Sequence, residues 1–428
     1  MTNWTTEPLE NCLDVLLDYR GKSPTKSETG IPVLSARVVK TAGLLRPIEQ
    51  TISPEYYPKW MTRGFPQPGD VVMTTEAPLG EIIQLDNETA TFALGQRLVC
   101  LRGKSNKLDN TFLRYLLTSP GQQEILASRA TGTTVLGISQ KSLRSMPISF
   151  PGYSEQENIG GVLASLDAKI ELNRKMNETL EAMARALFRD WFVDFGPTRA
   201  RMEGTAPYLS PDLWSLFPDS LDDQGKPEGW EVCSLNHYAT LNPESWTARN
   251  APQQVAYVDL ANTKWGNIDR IEYYKWVDAP SRARRILRAG DTIVGTVRPG
   301  NGSFGYIGED GLTGSTGFAV LRPKNQRDRI FVWCAATSAE NIDRLTHLAD
   351  GGAYPAVRPD AVVATETVIP STKELDAFCH ALSGNVDLME ANRAESRTLA
   401  QTRDLLLPRL MSGELRMAEA ERTVEAVL

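Results

Sequence analysis

Cysteine and histidine are scarce, with five and three in 428 residues. Cys12, Cys100, Cys233, Cys334 and Cys379 form no C-x-x-C, and of His237, His347 and His380 only the last adjoins a cysteine. That pattern excludes the usual zinc spacings and a disulfide framework, so no metal site is expected. No 18-residue apolar run exists, and the start "MTNWTTEPLENCLDVLLDYRGK" lacks a basic segment followed by an apolar one. A membrane partner is therefore not expected, and a cytoplasmic location is.

Catalytic signatures are missing as well. The chain holds no G-x-x-x-x-G-K-[ST], no H-E-x-x-H and no G-x-S-x-G. "GNGSFG" (300–305) fits G-x-G-x-x-G, but "YIGEDGL" follows it instead of a helix, so it reads as a hairpin turn. In "NPES" (242–245), Glu244 and Ser245 stand where an adenine-flipping site needs Pro and an aromatic ring. Neither a catalytic residue nor a cofactor of the chain's own is expected. Excess positive charge is lacking too, the net charge being −7. The acidity is uneven: residues 1–150 carry 16 basic and 14 acidic side chains, 151–229 carry 8 and 14, 230–370 carry 15 and 15, and 371–428 carry 7 and 10. A local positive face on either large segment remains compatible with this balance.

What is present is a repeat at an offset of 219. "GTTVLGISQKSLRSMPISFPGYSEQE" (132–157) and "GGAYPAVRPDAVVATETVIPSTKELD" (351–376) share a layout that aligns Gly132 with Gly351 and Pro151 with Pro370. "FPQPGDVVMTTEAPLGEI" (65–82) parallels "LRAGDTIVGTVRPGNGSFGYI" (287–307), and "RLVCLRGK" (97–104) parallels "GFAVLRPK" (317–324). Each half reads as short strands punctuated by Gly and Pro, with one helix (about 110–128 and about 328–349) before its last strand.

A long helical pattern follows each half. In the first, Ser154 and Glu157 suit a capping box, and Ile159, Leu163, Leu166, Ile170, Asn173, Asn177, Leu180, Ala184, Leu187 and Trp191 recur at steps of four and three. Gly160 and Gly161 weaken its opening turns. The same offset gives Phe378, Leu382, Asn385, Met389, Asn392, Ser396, Leu399, Arg403, Leu406 and Leu410. Asn173 maps onto Asn392, and a polar residue in an apolar seam selects one register, so the two helices are expected to pack on each other. Arg403 interrupts the stripe, and Pro408 is expected to kink or end the second helix. The seam does not choose between parallel and antiparallel pairing. Between Gly196 and Gly229, five prolines and a cluster of acids mark a mostly irregular linker.

Basic residues suggest where DNA would be touched. "SRARRILR" places Arg282, Arg284, Arg285 and Arg288 within eight residues, near Tyr257, Trp265, Tyr273, Tyr274 and Trp276. Cations beside flat rings suit phosphate contact and groove reading, while a solvated face is the plainer reading. Arg298 and Arg358 are further candidates in that half. In the first half the candidates are Lys22, Arg37, Thr133, Thr134, Ser139 and Lys141.

"IPVL" (31–34), "GDVVMTTEAPLGEI", "LDAKIELNRKMNETLEAMARALFRDWF" and "LLLPRLMSGEL" together resemble the DNA-specificity subunit of type I restriction-modification systems, over essentially the full chain. The resemblance implies an α+β fold in which two pseudo-repeated α/β target-recognition domains are separated by two long helices packed as an antiparallel coiled coil. It implies a target-recognition domain at 1–152, spacer helices at 153–196 and 372–414, a linker at 197–229, a second recognition domain at 230–371 and an acidic tail at 415–428. It further implies a non-catalytic subunit that reads a bipartite double-stranded DNA site. Two methylation subunits would dock on it and bring S-adenosylmethionine, and restriction subunits would form a further layer. Two readings compete: a fused methyltransferase or nuclease with a degenerate site, which methyl transfer by the purified chain alone would favour, and a scaffold that binds proteins and no DNA. Salt separates the scaffold from a DNA reader, because log K for DNA falls by about 0.9 per phosphate contact with log salt.

Overall fold

A computed structural model of the chain describes residues 4–19, 23–41, 43–132, 135–349 and 355–428. It divides into two compact units, residues 1–173 with 394–428, and residues 174–393.

In the first unit, the strands Leu13–Asp18, Leu98–Gly103, Val71–Thr75 and Leu79–Gln84 lie side by side in that order, all antiparallel. Successive side chains of a strand point to opposite faces, and here both faces are covered. Val71, Met73, Val99 and Leu101 enter one core with Phe112 and Leu163, while Val72, Leu98 and Cys100 enter another with Val33, Leu34 and Trp60. This double burial explains why "DVVMTT" reads as a continuous apolar run instead of an alternating one. A smaller sheet orders Thr51–Ile52, Ile31–Leu34 and Ala93–Leu94, the last two running parallel.

The second unit repeats the plan. Its sheet orders Ala239–Leu241, Phe318–Pro323, Thr292–Gly295 and Phe304–Tyr306, and "GNGSFG" lies in the connection between the last two, a hairpin. Val294, Ala319 and Leu321 face one core, whereas Ile293, Phe318 and Val320 face the other. A second sheet orders Glu272–Lys275, Gln254–Val258, Leu312–Ser315 and Ala283–Ile286. Its central pair is parallel, like that of the first unit, but among the described residues Ala283–Ile286 has no counterpart in the smaller sheet there.

Each unit also repeats one buried ion pair. Arg102 Nε and Nη2 donate to the two oxygens of Asp70 at 2.7 and 2.8 Å, and Arg322 does the same to Asp291 at 2.8 and 2.9 Å. Asp70 and Asp291 are 1% and 0% exposed, so each carboxylate depends on the two-pronged guanidinium of the neighbouring strand for its solvation. Burial pushes the Asp291 carboxyl above its ordinary range despite this pairing.

Several local expectations are corrected. Each single helix is two: Asn110–Thr118 with Pro120–Ser128, and Arg329–Ala336 with Ala339–Ala349. Ser119 is extended (φ −64°, ψ 145°) because the residue before a proline is pushed out of the α region, and Pro120 opens the next helix. The first long helix spans Tyr153–Phe192, so Ser154 lies inside its first turn instead of capping it. The capping box is found on the second long helix, Thr372–Met411. There the Ser371 amide donates to Glu374 at 2.5 Å and the Glu374 amide to Ser371 Oγ at 3.4 Å. Gly160 does not weaken the helix without reason: a Cβ there would sit 3.1 Å from the Phe112 backbone nitrogen, so glycine permits close packing. Pro408 does not end its helix, which runs on to Met411; lying within the last turn it removes one amide, and its own carbonyl still accepts from Ser412 at 3.0 Å.

The linker is more ordered than its composition suggests. It contains the helices Gly196–Met202 and Pro211–Trp214, and Arg201 ties them by donating to the carbonyls of Trp214 and Phe217. Phe217 is buried edge-on against Trp191, with ring centroids 4.9 Å apart. The acidic tail folds as the helix Met417–Glu425, whose Ala420 and Val424 join the core of the first unit.

Candidate nucleic-acid interface and spacer helices

The two long helices pack together inside each unit. In the first unit, Asp167 accepts from Arg403 at 2.7 Å, Lys169 pairs with Glu395 at 3.4 Å, and Asn173 Nδ2 donates to Glu395 at 2.6 Å and Ser396 at 3.3 Å. In the second unit, Asn177 Nδ2 donates to the Met389 carbonyl at 3.2 Å, Asn392 Nδ2 donates to Asn177 Oδ1 at 2.9 Å, and Phe192 lies 4.9 Å from Phe378. Rising numbers on one helix meet falling numbers on the other in both units, so the pairing is antiparallel.

This direction sets the partners within the polar layer. Asn392 meets Asn177, and Asn173 meets Ser396 and Glu395. Asn177 and Ser396 are equivalent positions of the repeat, as are Asn173 and Asn392. Of the seam residues, Ile159, Leu163, Asn173, Leu382, Met389, Asn392, Leu399 and Leu406 are buried, and Ile170, Leu180 and Leu187 are half-buried. Phe188 is buried beside Leu187 and takes up more of the contact, edge-on to Phe331 and Phe378.

Arg403, which interrupts the apolar stripe, is held by Asp167 and Asp404 at 2.7 Å each. Asp167 also accepts from Arg114 Nη2 and the Tyr115 hydroxyl, both at 2.7 Å. One carboxylate thus joins both long helices to the helix Asn110–Thr118 of the first module. Sequence reasoning missed it, although an acid at seam-flanking position 167 opposite a seam arginine was a usable signal. The second module is fastened differently: Arg393 donates to the Gly266 carbonyl at 2.9 Å, and the Arg185 guanidinium lies 5.1 Å from the Phe304 ring centre. Trp230 donates to buried Glu374 at 3.3 Å, and burial pushes that carboxyl up.

The candidate DNA contacts fall in different settings. Lys22, Thr133 and Thr134 lie outside the described residues. Arg37 is exposed, 3.8 Å from Glu49. Ser139 caps the short helix Gln140–Arg144 by accepting from the Ser142 amide at 3.1 Å, and Lys141 is exposed on that helix. Arg298 and Arg358 are exposed on segments brought together by a bridge between Val297 and Ala356. Arg282, Arg284 and Arg285 occupy or adjoin the strand Ala283–Ile286. Arg282 is exposed, while Arg284 stacks 4.3 Å from the centre of the Trp276 ring. Arg285 is half-buried, reaches Ser245 Oγ at 3.3 Å, and is held below the ordinary arginine range by burial. Arg288 is committed to Glu244, as is Arg322, which accounts for "NPES" structurally. Among the rings, Tyr257 is core, whereas Trp265 and Tyr273 are exposed.

Comparison with known proteins finds relatives of one kind. The family described as "Type I restriction modification DNA specificity domain" matches residues 20–182. The MjaIX specificity subunit of Methanocaldococcus jannaschii is 23% identical over 383 residues, covering 87% of this chain and 83% of its own length. The HindI specificity subunit of Haemophilus influenzae is 23% identical over 403 residues, covering 81% and 86%. Over most of its length the chain is thus similar to type I restriction-modification specificity subunits. The crystal structure of the S subunit from M. genitalium shares its fold, with a TM-score of 0.52 over 96% of each chain at 16% identity. Among the described residues no group of three or more His, Cys, Asp or Glu could hold a metal ion, and no helix is long and apolar enough to cross a membrane.

Proposed function

We propose that this specificity subunit reads a bipartite site on double-stranded DNA, one half with each sheet-and-helix module, and that the antiparallel helices set the gap between the halves. The observation that carries this reading is the duplication itself: the same sheet order, the same buried Asp–Arg pair and a 40-residue helix occur in each copy. A single reader would need only one. A helix of that length measures about 60 Å at about 1.5 Å per residue, more than one turn of duplex DNA.

Two equivalent helix surfaces suit two methylation subunits, which would carry S-adenosylmethionine and the methyl-transfer chemistry. Restriction subunits, in a system that has them, would join the same assembly, and the cytoplasm is where its DNA would be met. The site residues proposed for phosphate contact are Arg37, Ser139, Lys141, Arg282, Arg298 and Arg358, with Lys22, Thr133 and Thr134 as further candidates outside the described residues.

The test is a map of methylated bases in cells carrying the chain and its methylation partner, repeated with residues 230–370 exchanged for another second module. One half of the motif should change while the other half stays. An unchanged motif, or loss of both halves from a folded complex, would contradict the assignment of one half-site to each module.

A further inference from the structure

We infer that Arg284 is the side chain with which the second module reads the edge of a guanine in duplex DNA, an inference that rests on the DNA-reading role proposed above. The two modules of one chain provide an internal comparison. They share their large sheets, but the strand Ala283–Ile286 extends only the second one's smaller sheet among the described residues. Two readers of different half-sites must differ somewhere, and this strand is an arginine-rich difference.

Its backbone is irregular at one residue. Ala283 pairs with Ser315 and Arg285 with the next residue, Gly314, so Arg284 is the extra residue of a β-bulge. A bulge turns its side chain out of the regular alternation, which is how sheets aim a functional group. The guanidinium lies 4.3 Å from the Trp276 ring centre, and among the described residues only a donation to its neighbour's carbonyl (Ala283, 3.0 Å) accompanies the stack. Stacking fixes the plane of the fork. A phosphate needs only a nearby charge, whereas the O6 and N7 of guanine need two donors held in one plane.

Charge and exposure agree. Among the described residues no carboxylate pairs with Arg282, Arg284 or Arg285, while Arg288, three residues beyond Arg285, and Arg322 on the strand Phe318–Pro323 are neutralised by Glu244 and Asp291. Next to Trp276 in the chain, Val277 is 85% exposed. Apolar groups so placed contribute nothing to a phosphate contact but can meet base edges and a thymine methyl group.

The experiment uses the chain assembled with its methylation partner. Binding is measured on duplexes carrying the mapped motif and each single base-pair change in it. Arg284→Ala and Arg284→Lys should both lose about 10- to 100-fold of the preference for G·C at one position of the second half-site. The first half-site and the salt slope should be unchanged, and the retained first half-site reports folding. Trp276→Ala should weaken the same preference in part. A second half-site without a G·C pair overturns the inference. So does Arg284→Lys behaving as wild type while Arg284→Ala weakens all sequences alike with a slope reduced by about one contact, which marks a phosphate contact. Wild-type complex with no sequence preference at all would instead sink the proposed function.

Discussion

Asp167 receives three donors from two helices, Arg403, Arg114 and Tyr115, while remaining largely covered. Removing it strands two guanidinium groups and a hydroxyl that are only partly hydrated. Asp167→Ala is therefore expected to destabilise the first unit by about 2–3 kcal/mol, read as a lower denaturant midpoint, with Asp167→Asn intermediate. Equal midpoints for wild type and alanine variant would mean that solvent satisfies all three donors. Arg403 was legible only as a flaw in the heptad, because a periodicity count scores apolarity and its partner lies 236 residues away. The arginine cluster was legible as composition, but nothing local separates Arg284, aimed by a bulge, from Arg288, neutralised by Glu244.

At the scale of elements, the hairpins and long helices followed from spacing, because those patterns are local. The break at Ser119 also had a local sign, Pro120. The smaller sheets did not: their parallel pairs join segments such as Val33 and Ala93 that no short-range signal connects. The polar layer lies between these cases, since the asparagines were visible but their partners depended on helix direction. Asn392→Leu alone leaves Asn177 Oδ1 without its donor and should cost the second unit about 1–3 kcal/mol. The double change Asn177→Leu with Asn392→Leu should recover that loss or exceed wild type, because an apolar pair needs no desolvated partner. Unfolding curves of the single and double variants decide this; additive losses would show that the layer contributes strength and not register.

For the whole molecule, the proposed function makes helix length a determinant of the DNA motif. Seven residues keep the heptad phase, so seven inserted after Asn173 and seven after Asn392 lengthen both helices without moving the seam. They add about 10 Å, and the gap between half-sites should grow by about three base pairs. Mapping the methylated bases measures it directly. A two-part motif with its original gap would show that the helices do not set the distance.

The composition of the first unit bears on how a ribosome delivers this polypeptide. Residues 174–393 are contiguous, but residues 1–173 share their core with residues 394–428, which are translated after that whole unit. Nascent chains usually complete domains from the amino end onward. Here the lobe begun first is finished last, and the surface around Phe112 and Leu163 awaits Leu399, Leu406 and Leu410 while some 220 intervening residues emerge. A premature stop just after residue 393 would release a product with its contiguous lobe complete and the other one open.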